Sequence, residues 1–434
     1  MNTAPMSEDA SQPVPSPFSQ TALGILRRGP FARYAAGEAI SMTGTWMQTM
    51  AQSWVMTSLT TQAVWLGMVT FVSSVPMLAL TMLGGTMADR HDKRKILIAT
   101  QVVQIILAAA VGWLVLKGRI QIWEILCAAF LLGISAAFEM PSSAALVPEL
   151  VARENIRTAI AVDRSIFHGT RLIGPALAGL CIGIWGTASA FFANALSFFA
   201  LIAALTTISA RVKGSVEEEE QRQSGMKAGW DFVRADKPTM AMLALLATTA
   251  LCIFPFMAVL MPLYGRHNLG LDARYTGFLM AVSGIGSLTG SMGLLSVPRE
   301  RRLRWLALGA VDIVLALTGL ALARTFWLAA PAVICLAMGT SLTFGLANTT
   351  VQERAPDPLR GRVSAITMLS FVGVMPLSSL VVPALADLAG MRVAMGVGAA
   401  IYALSACWIF AGPAKRCADL PIERAVEAPV EVEV

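Results

Sequence analysis

Charged side chains are scarce in this sequence. Asp, Glu, Lys and Arg make up 14% of its 434 residues, against about 25% in soluble domains. Hydrophobic residues make up 56%, and the mean hydropathy is +0.65. So few charges cannot clothe a water-soluble globule, and the composition calls for a lipid solvent. Cysteine is also sparse. Cys127, Cys181, Cys252, Cys335 and Cys407 stand singly in apolar runs and Cys417 follows the last of them, with no Cys-x-x-Cys and no Cys/His metal spacing. That excludes a disulfide framework and a zinc site, and leaves the thiols as small packing groups. Gly-x-x-x-x-Gly-Lys-Ser/Thr, His-Glu-x-x-His and Gly-x-Ser-x-Gly are all missing. Neither ATP hydrolysis nor intramembrane hydrolysis by those chemistries is expected, and the chain is read as a non-enzyme without a metal or a cofactor. The net charge of +6 is scattered over short loops, with no basic stripe interleaved with aromatics. Nucleic acid is therefore not an expected partner.

What the chain has is length in apolar runs. About twelve approach the ~20 residues that a spanning helix needs. They lie near 33–56, 64–87, 95–116, 121–147, 159–183, 186–209, 239–262, 273–296, 303–322, 325–350, 362–386 and 390–412. The expected fold is an all-α membrane protein with twelve transmembrane helices in two six-helix bundles. Residues 1–30, rich in Pro, Ser and Thr and without a signal peptide, are expected to form a disordered cytoplasmic tail, as are 413–434. Residues 31–210 form the N-terminal bundle, 211–238 a cytoplasmic linker and 239–412 the C-terminal bundle. The linker carries the acidic run 217–220 and an amphipathic stretch around Trp230, Asp231 and Phe232. With both termini inside, the inner loops and tails hold 25 of the 33 Lys and Arg, and the outer loops hold six. This bias requires an even number of spans and orients a multi-pass protein of the inner (cytoplasmic) membrane.

The most informative stretch is the hairpin between the second and third runs. It reads Gly84-Gly85-Thr86-Met87-Ala88-Asp89-Arg90-His91-Asp92-Lys93-Arg94-Lys95 and packs six charges into seven residues. Such a hairpin lies in water, and its basic excess places it in the cytoplasm. Its Gly-x-x-x-Asp-Arg-x-x-Lys-Arg spacing resembles the loop joining helices 2 and 3 in the major facilitator superfamily of transporters. The fifth run adds Arg171, Gly174, Pro175 and Gly179, in a Gly-Pro-x-x-Ala-Gly pattern similar to the exporter signature of that superfamily. Small residues there let helices approach closely, and the proline frees a backbone carbonyl. Stretches at 138–151, 261–271 and 348–363 look like the branch that contains the enterobactin exporter and macrolide efflux proteins. The last of these holds Asp357, Arg360, Gly361 and Arg362 in the cytoplasmic loop between spans 10 and 11.

The resemblance implies a conformational latch made of Gly85, Asp89, Arg90, Lys93 and Arg94. In it the Asp89 carboxylate lies against the free backbone N–H groups at the start of span 11. Arg90 and Arg94 pair with nearby acids, and the latch holds the outward-open state. The chain also departs from the branch. Ser143 stands where Arg is frequent and Glu139 where Asp is common. Thr45 replaces an acid present in many relatives, and Arg299, Arg301, Arg302 and Arg304 lack the repeated loop motif.

Ionisable groups inside spans are functional candidates by default. Glu38, Glu139, Asp163, Arg164, His168 and Asp312 are the candidates here for proton or substrate handling. Arg164, His168 and Arg171 recur at i, i+4 and i+7 and share one helical face. They fit an anion-attracting or proton-linked patch, or a structural brace, and for Arg171 an ion pair with Glu139 is the favoured expectation. Asp312 is expected to pack with its carboxylate hydrogen-bonded, and Asp387 to sit at the outer interface. The 23 methionines, Met42, Met47, Met50 and Met56 among them, suit a plastic cavity as well as ordinary packing.

Together these features lead to an expected exporter of siderophore-like or drug-like small molecules. It works as a monomer by alternating access, powered by the proton gradient. An importer or symporter on the same fold, or a non-transporting scaffold, are the alternatives.

Overall fold

The computed structural model describes residues 22–27, 29–208 and 226–411, and among them the chain is helical with no strand. Most of the two tails and the acidic run 217–220 lie outside the described residues. The expected disordered tail ends before residue 30, because Ala22–Arg27 is already helical. Its Ile25 is buried in a cluster with Phe31, Tyr34, Leu146 and Val147, apolar contact that a polar tail could not make. The amphipathic linker stretch forms a helix, Met226–Ala235, that buries Val233 and leaves Trp230 exposed.

Eleven helices among the described residues are long and apolar enough to cross a membrane. A further long helix, α1 (Pro30–Leu59), is more polar because Glu38, Ser41, Thr45 and Gln48 lie along it. The others are α2 (Ala63–Arg90), α3 (Lys93–Leu116), α4 (Ile122–Glu149), α5 (Ile156–Trp185), α6 (Ala188–Thr206), α7 (Lys237–Asn268), α8 (Ala273–Leu295), α9 (Arg302–Leu322), α10 (Phe326–Arg354), α11 (Asp357–Ala389) and α12 (Met391–Ala411). They run past the apolar stretches at several ends, since helices continue into capped, polar turns. Asp92, Asp236 and Asp272 cap α3, α7 and α8 with side-chain acceptors. Gly186 and Gly390, at φ 80° and 91°, end α5 and α11 in a conformation that side chains disfavour.

The helices pack in two sets. In the first, α2 lies on α4, α1 on α5 and α6, and α3 on α4 and α6. In the second, α8 lies on α10, α9 on α10 and α12, and α7 on α10, α11 and α12. Two long seams join the sets, α5 against α8 and α2 against α11. Both need glycine. A Cβ on Gly67 would overlap the Ser379 carbonyl across α2–α11, and one on Gly277 would come within 2.5 Å of the Pro175 carbonyl across α5–α8. Small residues thus set the helix spacing, as is usual inside membranes.

Candidate functional site

Among the described residues the buried amide side chains, Gln48, Gln101, Gln104 and Asn194, all lie in the first set. Gln101 and Gln104, three residues apart on α3, are both buried. Their amides donate to Glu139 on α4, Gln101 Nε2 to Oε1 at 2.8 Å and Gln104 Nε2 to Oε2 at 2.5 Å. Ser41 on α1 donates to Gln101 Oε1, and Gln104 also donates to Ser135. A buried polar group without such partners costs about 1–3 kcal/mol, so these bonds fix the packing of α1, α3 and α4. Glu139 on α4 and Asp163 on α5 each lie within electrostatic reach of Glu38 on α1, and all three lie around Tyr34. Tyr34 shares a 2.6 Å hydrogen bond with Ser143, which accounts for a serine at a position where the resemblance favours arginine. A second buried amide pair, Asn194 Nδ2 to Gln48 Oε1 at 2.7 Å, ties α6 to α1.

The expected ion pair of Arg171 with Glu139 does not form. Glu139 is engaged by the two glutamines, an attachment that sequence reasoning missed although two amides in an apolar span call for a partner. Arg171 instead lies over the Trp46 ring, 5.6 Å from its centroid. Trp46 and His168 each meet Phe167 edge to face, with centroids 5.6 and 5.5 Å apart. Arg164 is exposed beside Asp163. Gly174 and Pro175 are buried, with Gly174 packed on Trp46 and the Thr43 carbonyl. Gly179 packs against Ala273 and Arg274 of α8. The residues of the exporter-like pattern therefore build the contacts of α5 with α1 and α8.

Hydrogen bonds cross between the sets at the end that holds residues 57–64 and 266–274. The Asp387 carboxylate at the end of α11 accepts from Ala63 N–H at 2.6 Å and Val64 N–H at 2.9 Å, capping α2 from the other set. Arg266 donates to Thr57 Oγ1 at 3.2 Å and lies over Trp54, His267 Nε2 is 3.3 Å from the Thr57 carbonyl, and Arg274 donates to the Gly183 carbonyl. Asp387 is thus a helix cap between the sets rather than a merely interfacial acid.

At the opposite end the hairpin holds its own set together. Asp92 accepts from the Arg94 backbone at 3.0 Å and from its guanidinium at 2.8 Å. Those bonds outweigh burial and hold the Asp92 carboxyl below its ordinary range. Arg94 also donates to the Ile208 carbonyl, and Lys93 pairs with Glu149 at 2.9 Å. The second set repeats this last pairing between α9 and α10, with Arg302 to Glu353 at 2.6 Å. Asp89 and Arg90 are exposed, and the Cβ position of Gly85 is open.

Nearby, Arg354 clamps Asp236 in a two-pronged pair at 2.6 and 2.8 Å that joins the end of α10 to the start of α7. Asp357 pairs with Arg360 at 2.6 Å on the surface, Gly361 is exposed and Arg362 packs on Gly229 of the linker helix. Asp312 lies in the α9–α10 seam against Gly339, and its Oδ2 makes no hydrogen bond, so the expected satisfied carboxylate is only half realised.

This arrangement of paired helix sets, glycine-lined seams and charged hairpin has known counterparts. The family model for transmembrane secretion effectors matches residues 20–431. The chain belongs to the transmembrane secretion effectors, a family of major facilitator transporters. Among the relatives of this secretion effector, macrolide efflux protein A of Streptococcus pyogenes is 25% identical over 371 residues, covering 82% of this chain and 89% of that protein. The staphyloferrin A transporter of Staphylococcus aureus is 27% identical over 362 residues, covering 80% and 87%. In fold, the secretion effector is similar to a bacterial homologue of the human lysosomal transporter Spinster, with a TM-score of 0.72 at 11% identity over 92% of this chain and 98% of that one.

Proposed function

We propose that this multi-pass transporter exports an amphipathic small molecule, siderophore-like or drug-like, in exchange for protons by alternating access. The observation that carries the reading is the gathering of Glu38, Glu139 and Asp163, half-buried on three different helices, around Tyr34 in a member of this family. Acidic groups at membrane depth serve as proton relays when access alternates between the two sides. The names of the macrolide and staphyloferrin relatives support a small-molecule substrate. In this reading α1 is the twelfth span. Residues 31–210 and 239–412 are the two six-helix bundles, joined by the linker 211–238, with both termini cytoplasmic in the inner membrane. Charge bias supports that orientation. The engaged Asp387 and the exposed Asp89 then fit an inward-open state, with the outer end sealed and the cytoplasmic latch released.

Everted membrane vesicles test this. With the lumen acidified by respiration, the amphipathic acid 1-pyrenebutanoate is expected to accumulate inside against the passive distribution of a weak acid and to release protons outward. Both signals are lost in Glu139→Gln, which keeps the side-chain size but carries no charge. Proton-independent accumulation, or an unaltered Glu139→Gln protein, would refute the coupling.

A further inference from the structure

We infer that Arg171, with Trp46, Phe167 and His168, forms a subsite for the carboxylate of an amphipathic ligand; this names a substrate class for the transport reading and rests on it. Arg171 is half-buried on α5, and among the described residues its guanidinium has no hydrogen bond and no carboxylate within ion-pair distance. An unpaired cation at membrane depth is costly, and such groups mark substrate or ion pathways. The neighbouring acids are otherwise placed. Glu139 is taken by Gln101 and Gln104, and Asp163 lies about 12 Å further along α5 at 1.5 Å per residue.

The surroundings are those of a binding face. Trp46, Phe167 and His168 interlock edge to face beneath the guanidinium, and Trp46 Nε1 and His168 Nδ1 are buried without partners. Gly174, three residues on from Arg171, pins α5 to α1 at Trp46, whereas the Cβ position of Gly169 has nothing within 4 Å. The helix is therefore tightly packed against α1 just beyond Arg171 and has free room on the face opposite it. Arg164, exposed on the same face one and then two turns away from His168 and Arg171, extends the positive potential toward water. A planar guanidinium offers parallel N–H donors that match a carboxylate, and the aromatic side chains suit an apolar body attached to it. A neutral group in the same place would leave the charge of Arg171 uncompensated, and a cationic one would be repelled.

The test uses the purified full-length transporter and two fluorescent probes of matched size, 1-pyrenebutanoate and its neutral amide. The wild-type protein is expected to bind the acid at least tenfold more tightly than the amide. Arg171→Gln removes that preference, an unchanged melting temperature showing that the variant is folded, and Arg171→Lys keeps part of the preference. Equal binding of the two probes by the wild type, binding of neither, or a preference that survives Arg171→Gln would overturn the inference. Because the readout is equilibrium binding, a loss of proton-driven accumulation in vesicles with the acid preference intact would refute the export reading alone.

Discussion

Replacing Asp387 by alanine removes both acceptors that the second helix set offers to the start of α2. Ala63 and Val64 N–H groups, now bonded at 2.6 and 2.9 Å, would turn to water. Asp387 is exposed, so the loss is that of a helix cap, about 0.5–2 kcal/mol, and not that of a buried ion pair. It falls on states in which α11 touches α2 at this end. The form closed at this end should therefore lose population by a factor of about 2–30 relative to the form open there. Hydrogen exchange read by mass spectrometry on the peptide covering 60–75 measures this directly, with faster exchange expected at the first amides of α2. Spin labels at the outer ends of α2 and α11 should report a larger share of long distances. Unchanged exchange together with an unchanged distance distribution would refute the role of Asp387 in holding α11 against the start of α2.

The remaining predictions concern the hairpin, the seam and the clamp. Asp89→Asn should express and fold as wild type, since Asp89 is exposed in this state, yet impair transport at least tenfold; normal transport would remove the latch. Gly67→Ala should cost about 1–3 kcal/mol through overpacking, because its Cβ would overlap a backbone carbonyl. Gly85→Ala, with free room, should leave thermal stability unchanged, and equal melting temperatures for these two variants would contradict the seam geometry. Burial pushes the Asp236 carboxyl up, but bonds from Arg354 and Thr239 outweigh it and hold the group below its ordinary range. The clamp therefore stabilises the protein above the unfolded value of about 3.9 and is lost as pH falls through the lower folded value. Asp236→Asn should melt lower at pH 7 and lose less between pH 5 and 3 than wild type, and parallel curves would refute this.

Eleven of the expected spans were legible because one quantity decides them, the length of an apolar run, and the first, α1, is long but too polar to be decided that way. The reading stopped short at ends where capped polar turns extend the helix, and at Ala22–Arg27, a short apolar segment inside a Pro-, Ser- and Thr-rich stretch that buries Ile25. The hairpin and the α5 pattern were legible through spacing. The partners of the interior charges were not, since helical periodicity says which residues share a face and nothing about which neighbour that face meets. Glu139 was matched with the arginine expected nearby, while its actual partners, Gln101 and Gln104, carry no charge to draw notice. Asp387 caps a helix that begins 324 residues earlier in the chain, a relation visible only once α2 and α11 are side by side.

Export is the central claim, and efflux from intact cells tests it most directly. De-energised cells of a deletion strain, with and without the wild-type gene, are loaded with the fluorescent label 1-pyrenebutanoate and then re-energised, while secreted metabolites are compared under iron starvation. The expected result is faster loss of the label, or appearance of a secreted metabolite, in the complemented strain alone, abolished by a protonophore and by Glu139→Gln. Greater accumulation inside the complemented cells would contradict export and establish uptake.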